Sequence, residues 1–139
     1  MALRVSRNND GTGPVSSTES GIAGTAITKT VVLDGTGGAE VTAAKTFYLF
    51  ANGARYYDAI TIEPVSEETG INYQVSLDNT TWAESVTPAD MDALLTDQHT
   101  VFYIRASVTN DGGGDQPATG TYTGAKVRVT ATELEEAPA

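Results

Sequence analysis

Apolar and polar positions alternate with period two along most of this chain, most clearly over residues 71–108. Tyr73, Val75 and Leu77 alternate there with Asn72, Gln74, Ser76 and Asp78. Further on, Phe102, Ile104, Ala106 and Val108 alternate with Val101, Tyr103, Arg105 and Ser107. Successive side chains of an extended chain point to opposite faces, so one apolar face per strand predicts half-buried antiparallel strands. Residues 71–108 read as strand, polar turn, short Trp-bearing strand, one turn of helix and a long returning strand.

The same reading extends in both directions. Leu3 and Val5 flank Arg4 and permit a short strand over 2–6. Ile27, Val31 and Leu33 make one face of a strand that Asp34-Gly35 ends, and 40–42 is a short strand candidate. Residues 45–51, KTFYLFA, are apolar on both faces, as a central strand requires, and Asn52-Gly53 supplies turn chemistry after them. Ile60 and Ile62 alternate with Thr61 and Glu63 until Pro64, which ends the strand or places it at an edge. Val127, Val129 and Ala131 form the closing strand.

Strands recurring about every ten residues predict an all-β, single-domain antiparallel β-sandwich, jelly-roll ahead of Ig-like. The expected core is Phe47, Leu49, Ile60, Ile62, Tyr73, Val75, Leu77, Trp82, Phe102, Ile104, Val127 and Val129. One helical turn is expected near 88–95. Thr87 suits the cap, Pro88 the first helical position and Asp90 the first turn, while Met91, Leu94 and Leu95 would seal one end of the sandwich.

Composition divides the chain. Residues 1–24 read as a flexible arm: from Arg7 onward Gly, Ser, Thr and Asn dominate, too few apolar groups to offset roughly 1–2 kcal/mol per residue of ordering entropy. Residues 25–132 form the sandwich, and 133–139 an acidic, frayed tail. Residues 110–124 are the longest Gly-rich loop.

The chain has 139 residues, no Cys, and 18 acidic against 8 basic residues, for a net charge of -10. That balance argues against nucleic acid, which needs clustered Lys and Arg. The acidity reads either as solubility or as repulsion from DNA. Without cysteine there is no disulfide framework, thiolate nucleophile or Cys-based zinc site. No run approaches the ~20 apolar residues of a membrane helix, and the first residues lack the apolar stretch of a secretory signal. A protein made and kept in a cytosol until it assembles is the expectation, with no membrane partner.

Candidate chemistry is sparse. His99 is the single histidine, with Asp97 two residues away and no GxSxG elbow; it reads as a solvent-facing residue at a strand entrance. Asp111-Gly-Gly-Gly-Asp115 and Asn9-Asp10-Gly11 resemble pieces of calcium loops without the EF-hand spacing. Glu67-Glu68 and Asp90/Asp92 read as solvated and capping carboxylates rather than a glycosidase pair. Asn79-Thr80-Thr81 reads as a turn in which Asn79 bonds its own backbone. No catalytic residue, metal or cofactor is expected.

The string Y-x-V-S-L-D-x-x-x-W from Tyr73 to Trp82, followed by VFYIRASV and a closing VRV, resembles small β-sandwich proteins of tailed bacteriophage virions. In particular, residues 45–132 look like a capsid decoration, or cement, protein of a short-tailed phage. A similar strand–turn–Trp device, YSxDGxxW, occurs in discoidin-type jelly rolls. Here Asn79 replaces the usual Gly, and no ligand-loop arginine pair can be matched.

The phage resemblance implies a non-enzymatic virion protein on the outer capsid surface. It implies the major capsid protein as partner, dimers or trimers, and arms or loops as the gripping parts. The candidate contacts are then Arg4, Arg7, Asn8, Asn9 and Asp10 in the arm and Asn110, Asp111 and Asp115 in the loop. The rival expectation is a carbohydrate-binding module, with an exposed Trp82 or a flat platform among Tyr56, Tyr57, Tyr103 and Tyr122. A tail or baseplate component is a third.

Overall fold

A computed structural model describes residues 3–6, 21–22, 27–51, 56–65, 68–92 and 99–136. Arg7, Asn8, Asn9, Asp10, the Asn52-Gly53 turn, Glu67, Leu94, Leu95 and Asp97 lie outside those residues. Among the described residues the secondary structure is all β. The strands are β1 (Leu3–Ser6), β2 (Gly21–Ile22), β3 (Ile27–Val31), β4 (Gly38–Val41), β5 (Lys45–Ala51), β6 (Tyr56–Val65), β7 (Ile71–Ser76), β8 (Met91–Asp92), β9 (His99–Asn110) and β10 (Gly120–Leu134).

They form two antiparallel sheets, each built on one long strand. In the first, β5 and β4 follow one another along one edge of β9, β7 lines the other edge, and β1 pairs with the far side of β5. In the second, β6 and β2 flank β10, β3 pairs with its first half, and β8 pairs with the outer side of β6. Along the chain the sheets alternate: β1, then β2–β3, β4–β5, β6, β7, β8, β9 and β10. Neither sheet can form without residues from the whole length of the sequence, so they make one sandwich.

The inner faces meet in a single core. Leu3, Val5, Phe47, Leu49, Tyr73, Val75, Phe102, Ile104, Ala106 and Val108 come from the first sheet, and Tyr57, Ile60, Ile62, Met91, Val127 and Val129 from the second. Phe47 stands opposite Phe102 in the ladder, their rings stacked with centroids 5.8 Å apart. Burying each such side chain stabilises the fold by about 1.5–3 kcal/mol. Ten of the twelve expected core residues are buried.

Leu77 and Trp82 are the two exceptions. β7 ends at Ser76, and the turn that follows carries Leu77 to the surface, 36 % exposed. That turn is held by Asp78, not by Asn79. The Asp78 Oδ1 accepts bonds from the Ser76 hydroxyl and from the Thr80 and Thr81 amides at 2.8–2.9 Å. Asn79 supplies the left-handed residue, with φ of 59°. After the turn Ala83 exchanges backbone hydrogen bonds with Val75. Ala83 therefore shares the inner face with Val75, and Trp82, one residue earlier, is on the outer face and half-buried.

Five further expectations change. Leu3 and Val5 are buried, so β1 belongs to the sandwich and not to an arm. β10 runs to Leu134, with Glu133 and Leu134 opposite Tyr57 and Tyr56, so the sheet takes up the start of the expected tail. β9 reaches Asn110 and β10 begins at Gly120, which shortens the Gly-rich loop to 111–119.

The fourth is the helical turn, which residues 88–92 do not form. Met91 and Asp92 pair with Tyr57 and Tyr56, and Met91 is buried. A single helical turn has a costly nucleus, whereas the edge of β6 offers ready partners. Pro64 neither ends β6 nor puts it at the sheet edge, since β6 lies between β10 and β8; its nitrogen is turned away from β10, where no ladder bond to that strand is lost. Ile62 exchanges both its backbone bonds with Val86, so the nitrogen two residues on faces the same outer side, and β6 continues to Val65 against β10.

Candidate docking surface

At one end of the sandwich two loops are locked together through Asn110. The inward phase of β9, Phe102 to Val108, carries on to this residue, which is 1 % exposed. Its Oδ1 accepts the Gly35 amide at 2.7 Å, and its Nδ2 donates to the Asp34 Oδ1 at 3.3 Å. The same Asp34 oxygen accepts the Thr36 hydroxyl at 2.8 Å and the Thr36 amide at 3.0 Å. These donors, the Thr36 hydroxyl foremost, hold the Asp34 carboxyl below the usual carboxylate range. Asn110 is thus a structural clamp rather than a partner contact: at the closed end of a strand its amide side chain satisfies polar groups that would otherwise be stranded.

The Gly-rich loop is tied down on its other side. The Asp111 Oδ1 accepts the Gly113 amide at 2.8 Å, and the Gln116 Oε1 accepts the Gly112 amide. Thr119 both accepts the Leu33 amide at 3.0 Å and donates to the Leu33 carbonyl. Gly70, with φ of 82°, passes so close that a Cβ there would meet the Asp115 carbonyl oxygen, and its own carbonyl accepts the Thr109 amide at 3.0 Å. Asp111 and Asp115 remain exposed on this pinned loop.

Beside the clamp, the flank where β3 and β4 end their sheets carries a notch of about 290 Å³. It is lined by Val31, Val32, Glu40, Val41, Thr42 and Val108. Val31 and Val108 are buried and form its floor, whereas Val32 and Val41 are 76 % and 54 % exposed. Sequence reasoning passed over both valines. The signal for Val32 was the run Val31-Val32-Leu33, three apolar residues in a row at the end of a strand. Val41 sits in a four-residue strand that is exposed along its whole length.

The outer face of the first sheet is aromatic and polar. The Arg105 guanidinium lies 4.3 Å from the Trp82 ring centre, and its Nε donates to Gln74 at 2.9 Å. The exposed His99 stacks with Phe50 at 5.3 Å between ring centroids and meets Tyr48 edge-on at 5.8 Å. Arg4 is opposite Phe50 in the β1–β5 ladder. That puts it on the far side of β5 from β9, whereas Asn110 and Asp111 are at and just past the end of β9. Among the described candidates, Arg4 and the loop residues Asn110 and Asp111 are therefore not brought to one place, and Arg7, Asn8, Asn9 and Asp10 lie outside the described residues.

The remaining candidates are dispersed. Tyr57 is buried, Tyr103 belongs to the first sheet, and Tyr56 and Tyr122 belong to the second. The Tyr56 hydroxyl donates to Asp90 at 2.7 Å, and that bond raises the tyrosine's pKa. A second cleft, of about 350 Å³, is lined by Glu63, Pro64, Val65, Asn72, Tyr73 and Glu84. Burial, with the Glu68 carboxylate nearby, pushes Tyr73 up to about 12. Among the described residues no three His, Cys, Asp or Glu side chains gather to hold a metal ion.

Comparison of the chain with protein-family models, with curated proteins and with solved structures finds no match.

Proposed function

We propose that this chain is a non-enzymatic docking module of a virion, a capsid decoration protein that binds the outer surface of a tailed-phage capsid and braces contacts between major capsid subunits. One observation carries the reading. Among the described residues the most exposed large apolar side chains are Val32 and Val41, and both residues line one notch beside the Asn110 clamp. Apolar surface placed on a stiff scaffold binds without a large ordering cost, which suits a protein used in many copies. The sequence resemblance supplies the class of partner.

The glycan-binding reading draws less support. Trp82 already shares its ring with Arg105, and the four tyrosines do not form a common platform.

The test is co-sedimentation of the purified chain with tailed-phage particles produced from the genome that encodes it. Saturable binding, and a higher temperature of particle rupture with the protein bound, are expected. Protein left entirely in the supernatant would overturn the proposal.

A further inference from the structure

We infer that the cleft between β6 and β7 binds an organic cation, an alkylguanidinium or primary ammonium group carried by a partner's Arg or Lys or by a free polyamine. The inference stands on this cleft and does not depend on the capsid reading.

The backbone makes the opening. Ile62 exchanges hydrogen bonds with Val86, and Val75 with Ala83, so residues 83–86 stitch the two sheets together along this flank. In an antiparallel ladder every second residue turns its N–H and C=O groups to the same side. Pro64 and Tyr73, two residues from Ile62 and Val75, therefore face the flank too. Among the described residues no backbone group bonds them from that side. Pro64 brings a carbonyl and no N–H. The unstitched stretch is the cleft of about 350 Å³.

Its floor lacks a hydrogen bond. Pro64 and Tyr73 are the buried lining residues, and Tyr73 is 2 % exposed. The Tyr73 hydroxyl is a buried polar atom with no hydrogen-bond partner. The Glu68 carboxylate is near but outside bonding geometry. Buried polar groups are satisfied with few exceptions, and an exception beside a cleft points to an occupant.

The rim selects charge. By alternation with the buried Ile62 and Tyr73, Glu63 and Asn72 stand at the two outer rims, and Glu84 lies between them on the stitching segment. Glu63 already meets the Arg128 guanidinium at 3.5 Å. Glu84 is exposed, and among the described residues no cation pairs with it. Two carboxylates, the Asn72 amide oxygen and the Pro64 and Tyr73 carbonyls make acceptors outnumber donors. Lys and Arg head groups only donate, so they match such a lining. Pro64 and Val65 give the methylene stem an apolar wall. A metal ion fits less well, because among the described residues no three carboxylates gather to hold one.

The test uses the full chain, ¹⁵N-labelled, titrated with butylguanidinium and with butylurea, which keeps the shape and removes the charge. Butylguanidinium is expected to shift the amides of Glu63, Val65, Asn72, Tyr73 and Glu84 saturably, and to bind roughly tenfold more tightly than butylurea. Glu84→Gln and Tyr73→Phe should each weaken it several-fold, with the melting midpoint not lowered. Equal affinities for the two probes, shifts confined to other surfaces, or affinity unchanged in both variants overturn the inference. Two further arms assign the source of the cation, and either result supports the site. Release of particle-bound chain by excess butylguanidinium makes the ligand a partner's side chain. Spermidine binding more tightly than the probe, with particle binding unaffected, makes it a free polyamine. The two proposals fail separately. A chain that sediments with particles but ignores the probes loses only the cleft, and one that takes the probes without binding particles loses only the docking.

Discussion

The Arg105 guanidinium is stacked over Trp82, 4.3 Å from the ring centre, while Gln74 anchors its Nε from the neighbouring strand. Gln74 and Arg105 are opposite one another in the β7–β9 ladder, and Trp82 joins them because Ala83 pairs with Val75. A cation over an indole at a partly exposed site contributes about 0.5–1 kcal/mol. A double-mutant cycle of Arg105→Ala and Trp82→Phe in urea should return a coupling of that order. Arg105→Ala should also red-shift Trp82 emission and raise its quenching by iodide. Zero coupling with unchanged emission would contradict the stacked geometry.

Asn110→Ala should destabilise the fold by about 1–3 kcal/mol, the range for stranding buried polar partners. It frees the Gly35 amide and removes the Nδ2 donor to Asp34. Hydrogen exchange should quicken at Gly35 and along 34–38 before it changes in β7. A loss below about 0.3 kcal/mol would mean that water replaces the clamp without cost.

The parts of this fold that were legible share one property: a strand long enough for its phase to be unambiguous. β9 and β5 declared their inner faces, and the buried Phe47, Leu49, Phe102 and Ile104 follow from alternation alone. The same phase, continued by two residues, puts Asn110 inside, but its polarity and the glycines after it suggested a loop. Leu77 and Trp82 were misplaced where phase is reset. Asp78 gathers its donors two residues after β7 ends, and the register across that turn, not the local pattern, decides which way Trp82 faces. Pro88 and Asp90 carry real helix-start chemistry, yet tertiary pairing of Met91 with Tyr57 overrides it. The notch was not legible because it forms between strands far apart in sequence, at Val31–Val32 and Val108.

Leu3 and Val5 change what a truncation should do. Both are buried, and β1 pairs with β5 from Leu3↔Ala51 to Ser6↔Tyr48. Leu3→Ala should cost about 2–5 kcal/mol, as in other core truncations, and removal of residues 1–6 should cost more. Thermal melting checks this. An unchanged midpoint for the shortened chain would show that β1 contributes no packing and would return it to the status of an arm.

Stability should fall at both extremes of pH, for different reasons. Hydrogen bonds from the Thr81 and Thr80 amides and the Ser76 hydroxyl pull the Asp78 carboxyl down to about 2. An unfolded chain has its aspartates near 3.9 and so binds more protons between those values. The Asp78 contribution is therefore complete above about pH 4 and lost as pH falls towards 2. Tyr73, raised to about 12 first by burial, works in the opposite direction. Its contribution is complete below about pH 10 and lost as pH rises towards 12. Urea midpoints against pH should show Asp78→Asn flattening the acid limb and Tyr73→Phe the alkaline one. Variants with unaltered limbs would assign the pH dependence to other groups.

The central claim is that this sandwich works by sitting on the outside of a capsid. Cryo-electron imaging of tailed-phage particles assembled with and without the chain tests it most directly. The account predicts added density on the outer surface, matching a two-sheet sandwich with its β3–β4 flank against the shell, and absent from particles lacking the protein. Identical shells in the two preparations, or density confined to the tail, would contradict it.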